Sequence, residues 1–332
     1  LKLDTSLLQG ESWFEIEQLN NQFLVLKEQY DKRENVHAVA SQLMALEKQG
    51  MALLNRFKAG GPAYIQYRDA MVRIVMLRDE LAKIGCFGNS TRQEPLFVIV
   101  AGQAGVGKST VSNLMQSVMV REVYGPEAVR KFASNDSGSF VYAPNQESKF
   151  LDGYNNQGIV LLDDFASSVE ACQNWTQQII HLVNTQPHQT PQASLERKGA
   201  VYFDSKFILA TSNVTAFSGT LGHMYSKEAV ARRMHLCLKV RVKPQFALPC
   251  DGGDPKVNPD AIAEYRQQNP GVAECFWLDW FTFDPLSGAE KPLCPCGLKC
   301  TNIDAYPDAC APATLKDALR LVVKTYRFRR DY

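Results

Sequence analysis

From Ser12 to Cys86 apolar residues recur at spacings of three and four, the period of a helix that buries one face. The run Val36-His37-Ala38-Val39-Ala40-Ser41-Gln42-Leu43-Met44-Ala45-Leu46 shows this most plainly. Gly60-Gly61-Pro62 interrupts the pattern, and Tyr64 to Ile84 resumes it with a stripe of Met71, Ile74, Val75, Leu77, Leu81 and Ile84. A helical hairpin with a packing face is predicted.

The texture changes after Gly88-Asn89-Ser90. Leu96-Phe97-Val98-Ile99-Val100-Ala101 is a short continuous apolar run, as expected of a strand covered on both faces of a parallel sheet. Ser109 to Val120 reads as a helix. Ile159-Val160-Leu161-Leu162 and Phe207-Ile208-Leu209-Ala210 are two further buried-strand runs, separated by a predicted helix from Glu170 to Asn184. Alternation of this kind gives a doubly wound, mostly parallel α/β core.

Past Pro244 come Asp251-Gly252-Gly253-Asp254-Pro255, an aromatic run from Phe276 to Phe283 and a cysteine cluster. Phe276, Trp277, Trp280, Phe281 and Phe283 are read as core. Helical spacing returns from Ala313 to Arg329, where Leu315, Leu319, Val322, Val323 and Tyr326 share a face. Arg320, Lys324, Arg327, Arg329 and Arg330 make that segment basic. The expected organisation is a helical region over 1–90, an α/β core over 91–245, a cysteine-bearing extension over 246–312 and a terminal amphipathic helix over 313–332.

At 332 residues, 45% hydrophobic and 21% charged, the chain suits one large α/β domain with flanking helical parts. A formal charge of +1 removes bulk basicity as a reason to expect nucleic acid, so any such contact is local. The nine cysteines, an odd number without a secretory signal, point to reduced thiols in a cytosolic setting. No apolar run reaches the roughly 18 residues of a membrane span. The chain begins at Leu1 rather than Met, as expected of an expressed fragment or of a piece cut from a longer precursor in which a membrane-attaching part could precede it.

The chemistry is concentrated at strand ends. Gly102-Gln103-Ala104-Gly105-Val106-Gly107-Lys108-Ser109 satisfies G-x-x-x-x-G-K-[ST] between a predicted strand and a predicted helix. These residues and Thr110 are the nucleotide-binding candidates: the glycines let backbone amides curl around phosphates, Lys108 reaches them as a point charge, and Ser109 holds Mg²⁺. Asp163 and Asp164 end the second strand. Asp163 is expected at the Mg²⁺ and Asp164 on the attacking water as general base. Asn213, after the third strand, is expected to donate to the γ-phosphate and to accept from that water. Cys294, Cys296, Cys300 and Cys310 could make a tetrahedral Zn²⁺ site or remain free thiols, because their spacing departs from C-x₂-C.

The order P-loop, Asp163-Asp164, Asn213 resembles a superfamily 3 helicase, and the wording resembles the 2C-type helicase of picornavirus-like positive-strand RNA viruses. Asp152-Gly153-Tyr154 with Gln157 is similar to that family's D-G-Y-x-x-Q approach to Walker B. Ala193-Ser194-Leu195-Glu196-Arg197-Lys198-Gly199 is similar to its A-x-L-E-x-K-G element, Thr211-Ser212-Asn213 to its S/T-T/S-N motif, and Arg232-Arg233 to its arginine-finger position. The resemblance covers about Pro95 to Pro244. Asp163-Asp164-Phe165 and Phe203-Asp204-Ser205-Lys206-Phe207 are more similar to insect and plant members of the order than to vertebrate ones.

The resemblance implies an AAA+ P-loop NTPase that assembles as a ring, expected to be a hexamer, with ATP between neighbouring subunits. Arg232 or Arg233 would act on the neighbour's γ-phosphate. Arg197 and Lys198 would face a central channel and track single-stranded RNA. It further implies zinc on the cysteine cluster, docking of the terminal helix into the next subunit, other viral replication proteins and host membranes as partners, and work at replication membranes in the host cytoplasm; the apolar face of the terminal helix suits packing on its own domain equally well. The expected function is Mg²⁺-dependent ATP hydrolysis that drives RNA unwinding or remodelling in genome replication. The alternative is an ATP-switched ring scaffold that organises membranes or encapsidation.

Overall fold

The computed structural model describes residues 5–54, 62–83, 91–134, 137–194, 201–248, 255–294 and 312–331. The chain divides into two compact units, residues 1–90 with 192–202 and residues 91–191 with 203–332.

The first unit is helical: α1 (Thr5–Asp31), α2 (Val36–Leu54) and α3 (Pro62–Lys83), each packed on the other two. Ile16, Leu19, Phe23 and Leu26 of α1 meet Val39, Leu43 and Leu46 of α2 and Tyr67, Ile74, Leu77 and Leu81 of α3. Their three- and four-residue steps are the seam that the sequence pattern requires. The expected hairpin is thus a three-helix bundle. The extra turn has no glycine or proline; Arg33 (φ +58°) and Asn35 (φ +36°) take left-handed backbone, and Asn35 Oδ1 accepts from the Ala38 N–H at 3.3 Å to start α2. Within the predicted α3 stripe Val75 is only half-buried, and Ile84 lies outside the described residues.

The second unit is built on a seven-stranded sheet. Its strands are β1 (Leu96–Ala101), β2 (Val141–Tyr142), β3 (Ile159–Leu162), β4 (Phe207–Ser212), β5 (Leu236–Val242), β6 (Leu278–Phe283) and β7 (Glu290–Pro292), in the order β2-β3-β4-β1-β5-β6-β7. The first five in that order run parallel, and β6 and β7 add an antiparallel edge. The described helices are α4 (Lys108–Tyr124), α5 (Pro126–Ala133), α6 (Val169–Leu182), α7 (Lys227–Ala231), α8 (Pro259–Gln268) and α9 (Leu315–Arg330). Leu96, Val98 and Val100 join the core formed with α4 and α9. Phe97, pointing the other way, packs edge-on to Phe165 at 6.2 Å. Residues alternate between two covered faces, which is why β1 has no polar position.

This is the doubly wound, mostly parallel α/β fold of P-loop NTPases. β5 was not predicted because Lys239 and Arg241 interrupt its apolar run. Both reach Glu290 of β7, Arg241 at 2.8 Å, and Arg241 also lies 4.8 Å from the centre of the Phe281 ring. Only the folded sheet supplies those partners. Helix α6 starts under a Ser168 cap that accepts from Ala171 N–H at 3.1 Å. Its end is held by Arg92, which donates to the carbonyls of His181 (2.9 Å), Leu182 (2.7 Å) and Gln186 (3.0 Å).

The terminal helix packs on its own unit. Leu315, Ala318, Val322 and Tyr326 are buried, and the Tyr326 ring centre lies 4.3 Å from that of Phe207. Arg327 forms a bidentate pair with Glu122 (2.8 and 2.9 Å), and Arg329 bonds Glu94. Leu319 and Val323, expected on the buried face, instead line a groove beside α4 with Phe328. Among the described residues, no helix is long and apolar enough to cross a membrane.

Candidate nucleotide-binding site

The site begins where β1 ends. Gly102 donates its N–H to Ser212 O at 3.1 Å, and a Cβ added there would stand 2.8 Å from Val240 O, so no side chain fits. Gly107 has φ +102° and caps α4 with no side-chain bond to the first-turn amides. Those amides and the helix dipole are what an anionic phosphate satisfies.

Two neighbouring carbonyls of the loop are tied from behind. Gly105 O accepts from Val257 N–H (3.3 Å) and Val106 O from Trp277 Nε1 (3.3 Å). A trans peptide sets each N–H opposite its C=O, so with those two carbonyls engaged the amides that follow them, of Val106 and Gly107, point the other way. Trp277 belongs to the aromatic group read as core, and it is buried; its indole N–H is the part that sequence periodicity does not reveal.

Lys108 is buried, and its three donors are filled by Gly102 O (2.9 Å), Gln103 O (2.9 Å) and Asn213 Oδ1 (2.7 Å). Burial pulls its pKa below the ordinary lysine value, while Asp164 and Asp163 push it back up. Asn213 in turn donates from Nδ2 toward Asp164 Oδ1 at 3.5 Å. Parallel pairing of β1 with β4 and of β4 with β3 puts these strand ends side by side. Lys108, Asn213 and Asp164 therefore form one chain across three strand ends.

The two acids are oriented by Thr211, a residue to which no role was assigned from sequence. Its hydroxyl donates to Asp163 Oδ1 at 2.6 Å and accepts from the Asp164 N–H at 2.9 Å. Asp164 takes φ +50°, so the chain turns sharply and the two carboxylates leave the strand in different directions. Both are exposed, as are Ser109 and Thr110 on the first turn of α4. Phe165 N–H donates to Thr211 O at 2.7 Å, which locks the turn to β4.

The D-G-Y-x-x-Q element is structural in this fold. Tyr154 is fully buried; its hydroxyl meets Ser205 Oγ (2.9 Å) and accepts from Asp204 N–H (2.9 Å), while its ring stacks on Phe203 at 5.4 Å. Gln157 bridges Asn155 N–H and Gly138 O. These bonds fix the approach to β3 and place no polar group in the site.

The paired arginines separate in role. Arg233 is half-buried and donates to Val183 O (3.1 Å) and Ala229 O (2.6 Å). Arg232 is exposed and makes no side-chain hydrogen bond or ion pair to a described residue. Both line a cleft of about 340 Å³ with Glu94, His235 and Arg329. That cleft lies at the start of β1 and β5, whereas the phosphate loop follows the end of β1; the two strands are parallel, with Val98 level with Leu236. Arg232 thus stands at the opposite end of the sheet from its own P-loop.

Arg197, Lys198, Cys296, Cys300 and Cys310 lie outside the described residues. Cys294 is described and is disulfide-bonded, which differs from the expected reduced thiol. Cys172, Cys237 and Cys275 are free and buried, and burial pushes the thiols of Cys237 and Cys275 up to about 12 and about 11. Among the described residues, no group of three or more His, Cys, Asp or Glu side chains is placed to hold a metal.

The fold is that of the α/β class of P-loop NTPases. Residues 98–214 match a family model described as RNA helicase. The chain is similar to the RNA1 polyprotein of broad bean wilt virus 1, 30% identical over 229 residues, or 68% of this chain and 12% of that polyprotein. It is similar to the replicase polyprotein of acute bee paralysis virus, 31% identical over 174 residues (50% of this chain, 9% of the polyprotein). The genome polyprotein of human hepatitis A virus genotype IB is 28% identical over 239 residues (66% and 10%). The chain belongs to the 2C-type superfamily 3 helicases of the picornavirus-like viruses. It spans about a tenth of the length of these relatives.

Proposed function

We propose that this chain hydrolyses Mg²⁺-bound ATP and couples hydrolysis to unwinding or remodelling of RNA in viral genome replication. The observation that carries the reading is the Lys108–Asn213–Asp164 chain at the mouth of the P-loop. It brings a phosphate-binding cation, an amide able to touch both phosphate and water, and a carboxylate into one place. The Ser109 hydroxyl and the Asp163 carboxylate are oxygen donors of the kind that Mg²⁺ takes alongside phosphate oxygens, so the residues present fit a magnesium nucleotide. Asp164, oriented through its backbone by Thr211, accepts the proton of the attacking water, and Lys108 offsets charge on the transferred phosphoryl group.

The position of Arg232 supports action between subunits. An exposed guanidinium at the far end of the sheet from its own P-loop can reach a γ-phosphate only in another copy of the chain, and a ring satisfies that for every subunit. Arg232 is the finger in this reading, and Arg233 holds the backbone that presents it. Single-stranded RNA in a central channel, contacted by Arg197 and Lys198, other viral replication proteins, and a setting at replication membranes of the host cytoplasm complete the proposal.

Zinc on Cys294 and its neighbours competes with the disulfide, since one sulfur cannot serve both; metal analysis and free-thiol titration of protein purified without added zinc or reductant decide between them. For the main reading, the test is phosphate release from ATP by the purified chain, with and without Mg²⁺, followed by strand separation of an RNA duplex. No phosphate release would end the triphosphatase reading. Hydrolysis without strand separation under ring-forming conditions would favour the scaffold.

A further inference from the structure

The segment around Lys256 belongs to none of the motifs above, yet it lies on the phosphate loop. Val257 donates its N–H to Gly105 O at 3.3 Å, Leu248 N–H donates to Lys256 O at 2.8 Å, and Ala247 and Val257 form an antiparallel bridge. Asn258 then accepts from the N–H groups of Asp260 (3.1 Å) and Ala261 (3.2 Å) and starts α8. Backbone bonds on both sides therefore fix where the Lys256 side chain leaves the chain.

It leaves along Gly105. A Cβ on that glycine would stand 3.7 Å from Lys256 Cγ, 3.8 Å from Cδ and 3.9 Å from Cβ. The stem therefore passes beside the phosphate turn with a gap that a single added methyl would close, and the side chain as a whole is exposed. The ammonium makes no hydrogen bond or ion pair to a described residue. A lysine beside a loop whose amides are arranged for phosphate, with no partner among the described residues, can offer its charge to the same anion.

We propose that Lys256 is a second cation of the nucleotide site, binding the polyphosphate of the triphosphate from outside the loop while Lys108 binds it from within. This rests on the triphosphatase reading above. It assigns to the region beyond the ATPase motifs a direct part in nucleotide affinity, through a residue that no motif marks. Because Lys108 already carries the charge at the reacting phosphoryl group, Lys256 acts on binding: it lowers KM and leaves the chemical step to the strand-end residues.

The test uses the full chain and steady-state ATP hydrolysis, with inorganic tripolyphosphate as a competitive inhibitor lacking base and ribose. Lys256→Gln is expected to lower kcat/KM roughly fivefold through KM and to raise the tripolyphosphate Ki by a similar factor, the size of an exposed ion pair. Both effects shrink as salt rises, and Lys256→Arg restores KM. A KM for Lys256→Gln within twofold of wild type, at low salt, overturns the proposal. A raised KM with an unchanged tripolyphosphate Ki also overturns it, by assigning the stem to the nucleoside instead. No ATP hydrolysis or binding by the wild-type chain would sink the triphosphatase reading itself, and this proposal with it.

Discussion

The Lys108 ammonium donates to Asn213 Oδ1 at 2.7 Å across the ends of two adjacent strands. The same amide reaches Asp164 from its nitrogen. A residue 105 positions along the chain from the P-loop lysine thus sets how that lysine and the proposed base sit relative to each other.

Lys108→Ala is expected to abolish ATP hydrolysis, because no other described cation reaches inside the loop. Asn213→Ala should keep nucleotide binding and lose turnover by about 10²-fold, the scale of removing one preorganised donor. Parallel measurement of nucleotide Kd and kcat checks this, and an unchanged kcat in Asn213→Ala would remove the amide from the chemistry.

Asp164→Asn should bind ATP and fail to turn it over. Thr211→Val tests the orienting hydroxyl without touching either acid: kcat should fall roughly tenfold. Stability should fall by about 1 kcal/mol, because the part-buried Asp164 N–H loses its acceptor. Urea unfolding and kinetics on the same preparation separate the two effects.

Arg232→Ala should fold as wild type, since its side chain has no hydrogen-bond or ion-pair partner among the described residues to lose, and should hydrolyse ATP poorly. Mixed with Lys108→Ala subunits it should regain part of the activity, because one of the two orders of a mixed interface sets the intact P-loop of the Arg232→Ala subunit against the intact finger of its neighbour. Arg233→Ala should instead lower Tm, as the Val183 and Ala229 carbonyls lose their donor. Mixtures that stay inactive would count against action between chains.

Stability should fall on mild acidification. His235 accepts the Phe97 N–H on Nδ1 at 3.2 Å, a bond that needs the neutral ring, and burial, with Arg329 and Arg233 adding to it, pulls its pKa down to about 3. His188, half-buried, stacked on His181 and near Arg92, is pulled down to about 4 by partial burial and those two groups. Folded-state values below the ordinary 6.5 mean that the unfolded chain binds more protons between pH 6.5 and those values. Stability is therefore full above pH 6.5 and drops as pH falls, by up to about 1.4 kcal/mol per pH unit for each group. Denaturant midpoints at pH 7.5 and pH 5 measure it, and His235→Asn should flatten the slope.

The sequence alone determined the features that are local in the chain. A phosphate loop needs its glycines, lysine and serine in consecutive order, and a strand buried on both faces needs an unbroken apolar run; both were legible, as were the acids and the amide that end such runs. What tertiary structure decided concerns groups that meet from distant positions. Lys239 and Arg241 sit in a strand only because Glu290 folds beside them. Thr211 orients Asp163 and Asp164 only because β3 and β4 are neighbours. Arg232 and Arg233 are equivalent in sequence, and the carbonyls of Val183 and Ala229 alone distinguish them. Lys256 and Trp277 carry no motif, and two segments far downstream, Trp277 being 171 positions from Val106, are brought onto Gly105 and Val106 by backbone and indole hydrogen bonds. Periodicity reports which face of an element is buried; it cannot report which element lies against that face, and the second half of this site depends on that.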